Sequence, residues 1–247
     1  YDYIYLGDTG RSPYGNRSFK TIHEYTWECV QWLLKQDCPL IILACNTASA
    51  KALRTIQQQD LKTADPAKRV LGVIRPTAEV IGNYTKTKEI GVLGTKGTVQ
   101  SGSYLIEIEN FFPDIKVHQQ ACPLWVPLIE TGEYDKPGAD YFVKLYLDQL
   151  LAQSPNIDTI LLACTHYPLL QEKIKAYLPA GINIVSQGDI VAKSLVDYLQ
   201  RHPNIKEKLT ITSSKQFFTT SDDTADFDHH ASMFFSTPVQ SDYVSVK

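Results

Sequence analysis

Ile41-Ile42-Leu43-Ala44-Cys45-Asn46-Thr47 and Ile160-Leu161-Leu162-Ala163-Cys164-Thr165-His166 are two versions of one pattern. Each is an apolar run, then an alanine, a cysteine and small polar residues that enter a helix. A continuous β-prone run of this length predicts a strand buried on both sides, as in a parallel sheet. In both copies the cysteine falls just past the carboxyl end of its strand, which is where open α/β sheets place their ligands. Both cysteines also stand at a helix N-terminus. The free N–H groups and the dipole there favour an anion and are expected to lower a thiol pKa.

Around these copies, strands and helices alternate. Tyr3 to Leu6 reads as a strand, followed by a turn-rich loop from Gly7 to Gly15. A helix is predicted from Phe19 to Gln36, with Ile22, Tyr25, Cys29 and Leu33 on one face. Asn46 to Gln59 is the helix after Cys45, and Val70 to Ile74 is a further strand. The polar stretch Asn83 to Lys88 precedes another buried-strand pattern, Glu89 to Gly94. Helices follow near residues 103–112 and 139–152, with a strand near 115–117 and a loop at Ala121-Cys122-Pro123. Pro168 suits the first turn of a helix running to Tyr177. A helix from Ile190 to Gln200, a strand from Gln216 to Thr220 and an Asp-rich tail complete the chain. The order predicts an α/β fold of two similar parallel-sheet domains related by a pseudo-two-fold axis, with the active site in the cleft between them. The first domain is expected to comprise residues 1–85 with 189–247 returning to it, and the second residues 86–188.

The 247 residues are 43% hydrophobic and 21% charged, enough to bury a substantial core. The 24 basic and 27 acidic residues give a formal charge of −3, with no dense Lys/Arg block. That argues against a nucleic acid as partner. No apolar run approaches the roughly 18 residues of a membrane span, and no secretory leader pattern opens the sequence. The expected location is the cytoplasm. Five widely spread cysteines, an odd number, suggest reduced thiols and not a disulfide framework.

Two thiols facing one another across a cleft suit a reaction in which a proton leaves one face of a carbon and another arrives on the opposite face. One sulfur must then be thiolate and the other thiol, with roles exchanged when the reaction reverses. An unperturbed cysteine is mostly protonated at neutral pH, so each needs a local base or a positive dipole. His166, two residues from Cys164, is a candidate base. A packing cysteine has no need of Asn-Thr or Thr-His after it, which separates this pair from Cys29, Cys38 and Cys122, all read as structural. No short-range cysteine pairing of the kind zinc sites show is present.

Ala44-Cys45-Asn46-Thr47-Ala48-Ser49 and Ala163-Cys164-Thr165-His166-Tyr167-Pro168-Leu169-Leu170 resemble the two signature motifs of the glutamate racemases, within the aspartate/glutamate racemase superfamily. Tyr5-Leu6-Gly7-Asp8 with Pro13-Tyr14-Gly15, Gly94-Thr95-Lys96-Gly97-Thr98 with Ser101, and Cys122-Pro123 with Val126-Pro127-Leu128 and Glu130 extend the resemblance to about Gln200. It implies a cofactor-independent and metal-free isomerase interconverting L- and D-glutamate, the D-enantiomer serving bacterial peptidoglycan. Cys45 would take the α-proton of D-glutamate and Cys164 that of L-glutamate. His166 would serve Cys164, with Glu130 contacting His166. Tyr14, Gly15, Asn46, Thr47, Thr95, Thr98, Thr165 and His166 would hold the substrate through hydroxyls, amides and backbone N–H groups. A homodimer is the expected assembly.

Members of that family begin with a strand leading into an Asp-Ser-Gly-x-Gly-Gly turn, and this sequence contains none. By the internal repeat, Ile90-Gly91-Val92-Leu93-Gly94-Thr95 is the second-half counterpart of such a strand and turn. The expectation is that a matching segment precedes Tyr1. Three alternatives compete: an aspartate or hydantoin racemase of the same fold, a catalytically impaired binding protein, and a thiol hydrolase. The hydrolase leaves the second matched cysteine without a role.

Overall fold

The computed structural model describes residues 1–246. In chain order its strands are β1 (Tyr3–Gly7), β2 (Leu40–Leu43), β3 (Arg69–Gly72), β4 (Glu89–Gly94), β5 (Lys116–Ala121), β6 (Thr159–Ala163), β7 (Asn183–Val185), β8 (Lys215–Thr219) and β9 (Asp242–Tyr243). The helices that frame the site are α1 (Phe19–Lys35), α2 (Asn46–Lys51), α3 (Ile74–Ala78), α4 (Lys96–Ser101), α5 (Ser103–Phe111), α6 (Trp125–Glu130), α7 (Pro137–Leu151), α8 (Gln171–Tyr177), α9 (Gly188–Arg201) and α10 (Thr224–Phe235). Every strand pair is parallel. This is the α/β architecture expected from the alternation of elements.

The second half carries one continuous sheet in the order β5-β4-β6-β7. Its two central strands, β4 and β6, are buried along their whole length. The two-residue period of a strand divides their side chains between two cores. Leu93, Ile160 and Leu162 pack with Trp125, Leu147 and Tyr167 on one face. Ile90, Val92, Leu161 and Ala163 pack with Tyr104 and Ile108 on the other. Helices on both faces are what a parallel sheet requires.

The first half is divided between two sheets, β1-β8-β9 and β2-β3. Among the described residues no strand joins β1 to β2. Ile41, Leu43 and Val70 pack against Ile22 and Val30 of α1. Ile42 faces away and is 38% exposed, so β2 is covered on one face only and not on both, as its apolar run had suggested. Tyr3 and Tyr5 of β1 are likewise exposed.

Several boundaries differ from the sequence reading. The helix after Cys45 is broken: α2 stops at Lys51 and short helical turns continue to Ala64. Strand β3 ends at Gly72, and Ile74 begins α3 one residue ahead of Arg75-Pro76, where proline is tolerated. The segment Tyr167–Leu170 is a tight 3₁₀ turn before α8. Strand β5 runs on to Ala121, and the Asp-rich tail contains α10, capped by the Asp223 side chain accepting from the Asp226 N–H at 3.1 Å. Ile74, Ala78 and Ile81 precede residue 86 yet lie in a core of the second sheet. We propose the two-domain division expected above, with the 74–84 bridge packed on the second domain. No helix among the described residues is long and apolar enough to cross a membrane.

Candidate active site

The carboxyl ends of the strands carry the chemistry. Asp8 follows β1, Cys45 lies two residues past β2, Thr95 follows β4, Cys122 follows β5, Cys164 follows β6 and Ser186-Gln187 follow β7. All five cysteines are free thiols. Cys45 is the N-cap residue of α2, and Cys164 leads into the Tyr167–Leu170 turn. A charge on Cys45 would be among the influences that raise Cys164.

The helix-end effect expected from sequence operates but loses. Burial pushes the Cys45 thiol up, against the opposing N–H groups of Ala48 and Thr47 and the Thr47 hydroxyl. Burial likewise pushes Cys164 up to about 12, the N–H groups of His166 and Tyr167 opposing it. Both thiols are therefore protonated at neutral pH in the unliganded protein, and desolvation, not the dipole, sets the direction. This predicts a rate that climbs with pH. With limiting substrate, kcat/KM should increase about tenfold per pH unit between about pH 6 and 8, because the thiolate fraction grows in that proportion below its pKa. A flat profile over that range would show that neither thiol acts as the base.

Next to Cys45, three buried threonines meet across the two halves. Thr47 Oγ1 lies 2.8 Å from Thr95 Oγ1 and 3.4 Å from Thr98 Oγ1, and Thr95 and Thr98 are 3.1 Å apart. Thr95 also caps α4, accepting from the Thr98 N–H at 3.2 Å. The loop from the first half closes over this cluster without a side chain between. The Gly97 N–H donates to the Gly15 carbonyl at 2.8 Å. A Cβ on Gly15 would come within 2.9 Å of the Thr95 Cβ, and one on Gly97 within 2.9 Å of that carbonyl. Glycine is needed at both positions, at Gly15 because the Thr95 side chain and at Gly97 because the Gly15 backbone leaves no room for a Cβ. Lys51, buried at the end of α2, donates to the Arg17 carbonyl at 2.7 Å and ties the same loop down.

Around Cys164, His166 Nδ1 stands 4.0 Å from the sulfur and His166 Nε2 3.3 Å from Glu130 Oε1. Burial pushes the Glu130 carboxyl up, but the hydrogen bond and charge of His166 and the Ser12 hydroxyl outweigh it and hold the group below its ordinary value. Thr165 is exposed, its hydroxyl 3.4 Å from His166 Nδ1. Asn46 is 2% exposed and accepts at Oδ1 from the Tyr104 hydroxyl at 2.7 Å.

Thr47, Thr95 and Thr98 thus meet beneath Gly15, beside Cys45 and Asn46, and His166 links Cys164 to Glu130. Tyr14 differs: its hydroxyl donates to Asp8 and its ring packs in the first core.

The model of the Asp/Glu/Hydantoin racemase family matches residues 2–195 of the chain. The chain belongs to this racemase family. Among racemase relatives, the glutamate racemase of Sulfurihydrogenibium sp. (strain YO3AOP1) is 41% identical over 220 residues, covering 89% of this chain and 78% of the relative. That of Aquifex aeolicus (strain VF5) is 39% identical over 215 residues, covering 87% and 80%. The solved glutamate racemase isoform RacE1 from Bacillus anthracis superposes with a TM-score of 0.87 at 33% identity, over 99% of this chain and 88% of the other. The Francisella tularensis glutamate racemase, solved in complex with D-glutamate, gives a TM-score of 0.85 at 28% identity over 100% and 88%.

Other residues of this racemase fold's site escape sequence reasoning. Ser12 donates to Glu130 at 3.2 Å from a distance of 118 residues. Phe234 of α10 presents its ring edge-on to His166 at 5.9 Å. Tyr104 and Gln187 join Asn46 through a buried chain of hydrogen bonds. Cys122 is buried and Cys38 packs in the first core, matching their structural reading. Cys29 sits beside Arg11 and is pushed up to about 12, chiefly by burial.

Proposed function

We propose that this protein is a glutamate racemase working by two bases, with Cys45 and Cys164 on opposite faces of the substrate's Cα. What supports the reading is two matched thiols, each just past the carboxyl end of its strand, one beside the Thr47–Thr95 cluster and the other beside His166 and Glu130. In the L-to-D direction the Cys164 thiolate takes the α-proton and the Cys45 thiol gives its proton to the other face, leaving Cys45 as thiolate. The D-to-L direction reverses both transfers. Thr47, Thr95 and Thr98 supply hydrogen-bond donors to the substrate carboxylate on which the developing negative charge is delocalised, and Asn46 supplies one that binds ground and transition states alike. His166, held by Glu130, stands ready to exchange a proton with Cys164. The D-glutamate formed serves peptidoglycan synthesis. A cytoplasmic homodimer is part of the same proposal, and exposed Leu105, Ile106 and Phe111 of α5 offer apolar surface to such an interface.

The test is racemisation in deuterated water. Product formed from either enantiomer should carry deuterium at Cα, and dialysis against a chelator or a carbonyl reagent should leave the rate unchanged. Product without solvent deuterium would exclude proton exchange through the thiols, and loss of activity on chelation would point to a metal. Faster turnover of aspartate than of glutamate would reassign the substrate within the family.

A further inference from the structure

Asn46 presents an unusual combination. It is 2% exposed, its Oδ1 has a donor, and its Nδ2 is buried with no partner. A buried amide donor without an acceptor is costly unless a ligand supplies one. The direction of that amide is determined by its surroundings, starting from a backbone carbonyl. Val73 C=O can only accept, and it faces Gln187 Nε2 at 3.3 Å and the Thr77 hydroxyl at 3.3 Å. The Thr77 hydrogen is thereby committed, so its oxygen accepts from Gln187 Nε2 at 2.9 Å. Of the two Gln187 Nε2 hydrogens, one is shared between Thr77 and the Val73 carbonyl and the other goes to the Tyr104 hydroxyl at 2.7 Å, whose oxygen accepts and whose single hydrogen must then go to Asn46 Oδ1. Burial, with a contribution from the nearby Cys164 thiolate, raises the Tyr104 phenol, so it keeps that hydrogen.

We propose that Gln187 and Tyr104 are positioning residues that lock the Asn46 amide with its N–H group toward an acceptor oxygen of the bound amino acid. The inference rests on the glutamate racemase reading, since it is the substrate carboxylate that completes the network. Gln187 lies where the chain returns from β7 to α9, and Val73 where it leaves β3 for α3, so both crossings between the halves meet at this relay. Neither residue touches the reacting atoms; each acts through Asn46.

Gln187→Glu tests the polarity directly. A carboxylate can only accept, so the Tyr104 hydrogen turns to it and the phenol oxygen becomes an acceptor. The Asn46 amide then flips, and its oxygen faces the substrate carboxylate. In the full-length protein, KM for both enantiomers should rise about tenfold with a much smaller change in kcat, the pattern of a lost contact shared by ground and transition states. Tyr104→Phe removes the donor to Asn46 Oδ1 and should raise KM in the same way, by several-fold. Each substitution should have no further effect on KM in an Asn46→Ala background, because the whole effect passes through that amide. A packing role would predict additivity instead, and glutamate is nearly the same shape as glutamine. Unchanged KM in Tyr104→Phe, or additive effects with Asn46→Ala, would overturn the relay. If Gln187→Glu does not fold, the Tyr104→Phe cycle alone decides. A wild-type protein inactive on glutamate would instead defeat the substrate reading, and that outcome is visible before any variant is made.

Discussion

Replacing either Cys45 or Cys164 with serine will lower racemisation by on the order of 10³-fold or more, with the fold intact. A serine hydroxyl fills nearly the same space but is a far weaker acid than a thiol, so it can neither hold a stable anion as base nor release a proton readily as acid. Burial already holds both thiols above their ordinary values, and the same burial would act on an alkoxide more severely. The two variants should differ in what they keep. Residual Cα exchange with deuterated water should be confined to L-glutamate in Cys45→Ser and to D-glutamate in Cys164→Ser, since each retains one base on one face. A serine variant with more than about a tenth of wild-type turnover would end the two-base account.

Trp125→Ala should be the most destabilising single change near the site. Trp125 is fully buried, its ring meets Tyr167 at 4.8 Å and Tyr146 at 6.0 Å, and its Nε1 donates to the Phe142 carbonyl at 3.2 Å. Emptying that space costs roughly 3–5 kcal/mol, which in a chain of this size lowers Tm by about 10 °C. Activity should fall as well, through geometry alone. Helix α6 begins at Trp125 and ends at Glu130, and Tyr167 directly follows His166, so the indole wedges apart the two elements that bring Glu130 and His166 together. Thermal unfolding followed by circular dichroism measures the loss, and a value below about 1 kcal/mol would contradict this packing. Trp125→Phe should recover part of it.

The parts of this site that lie within one strand-turn-helix unit are legible in sequence. Cys45 with Asn46-Thr47, and Cys164 with Thr165-His166, are visible because the same local pattern occurs twice, and Thr95-Thr98 because it follows a strand with the third residue in capping register. Interactions that join distant segments are not visible. Tyr104 is 58 residues from Asn46, and Gln187 is 83 from Tyr104. Neither carries any local sign, since a tyrosine on a helix and a glutamine before one are unremarkable by periodicity. The thiol pKa values fail for the same reason. A helix N-terminus is a local feature, whereas the desolvation that overrides it is a property of the assembled core. The fold boundaries follow this division too. The buried β4 and β6 fall where their apolar runs predict, but β2 looks identical in sequence and is covered on one face only. Helix α10 was hidden by composition: its acidic residues suggested a tail, although Asp223 three residues before Asp226 is a helix-start signal.

The coupling between the two thiols has a consequence for the protein between turnovers. Since a charge on Cys45 disfavours one on Cys164, no more than one sulfur is negative at a time. In the proposed reaction an L-to-D event ends with that charge on Cys45 and a D-to-L event ends with it on Cys164. A protein that has just released product is therefore one of two proton tautomers, each fit to receive only the enantiomer just released, until solvent returns a proton to the thiolate. It carries a one-proton memory of its last direction. To process two molecules of L-glutamate in succession it must first move a proton from Cys164 back to Cys45. The solvent and His166, which stands beside Cys164 alone, provide the means of erasing that record.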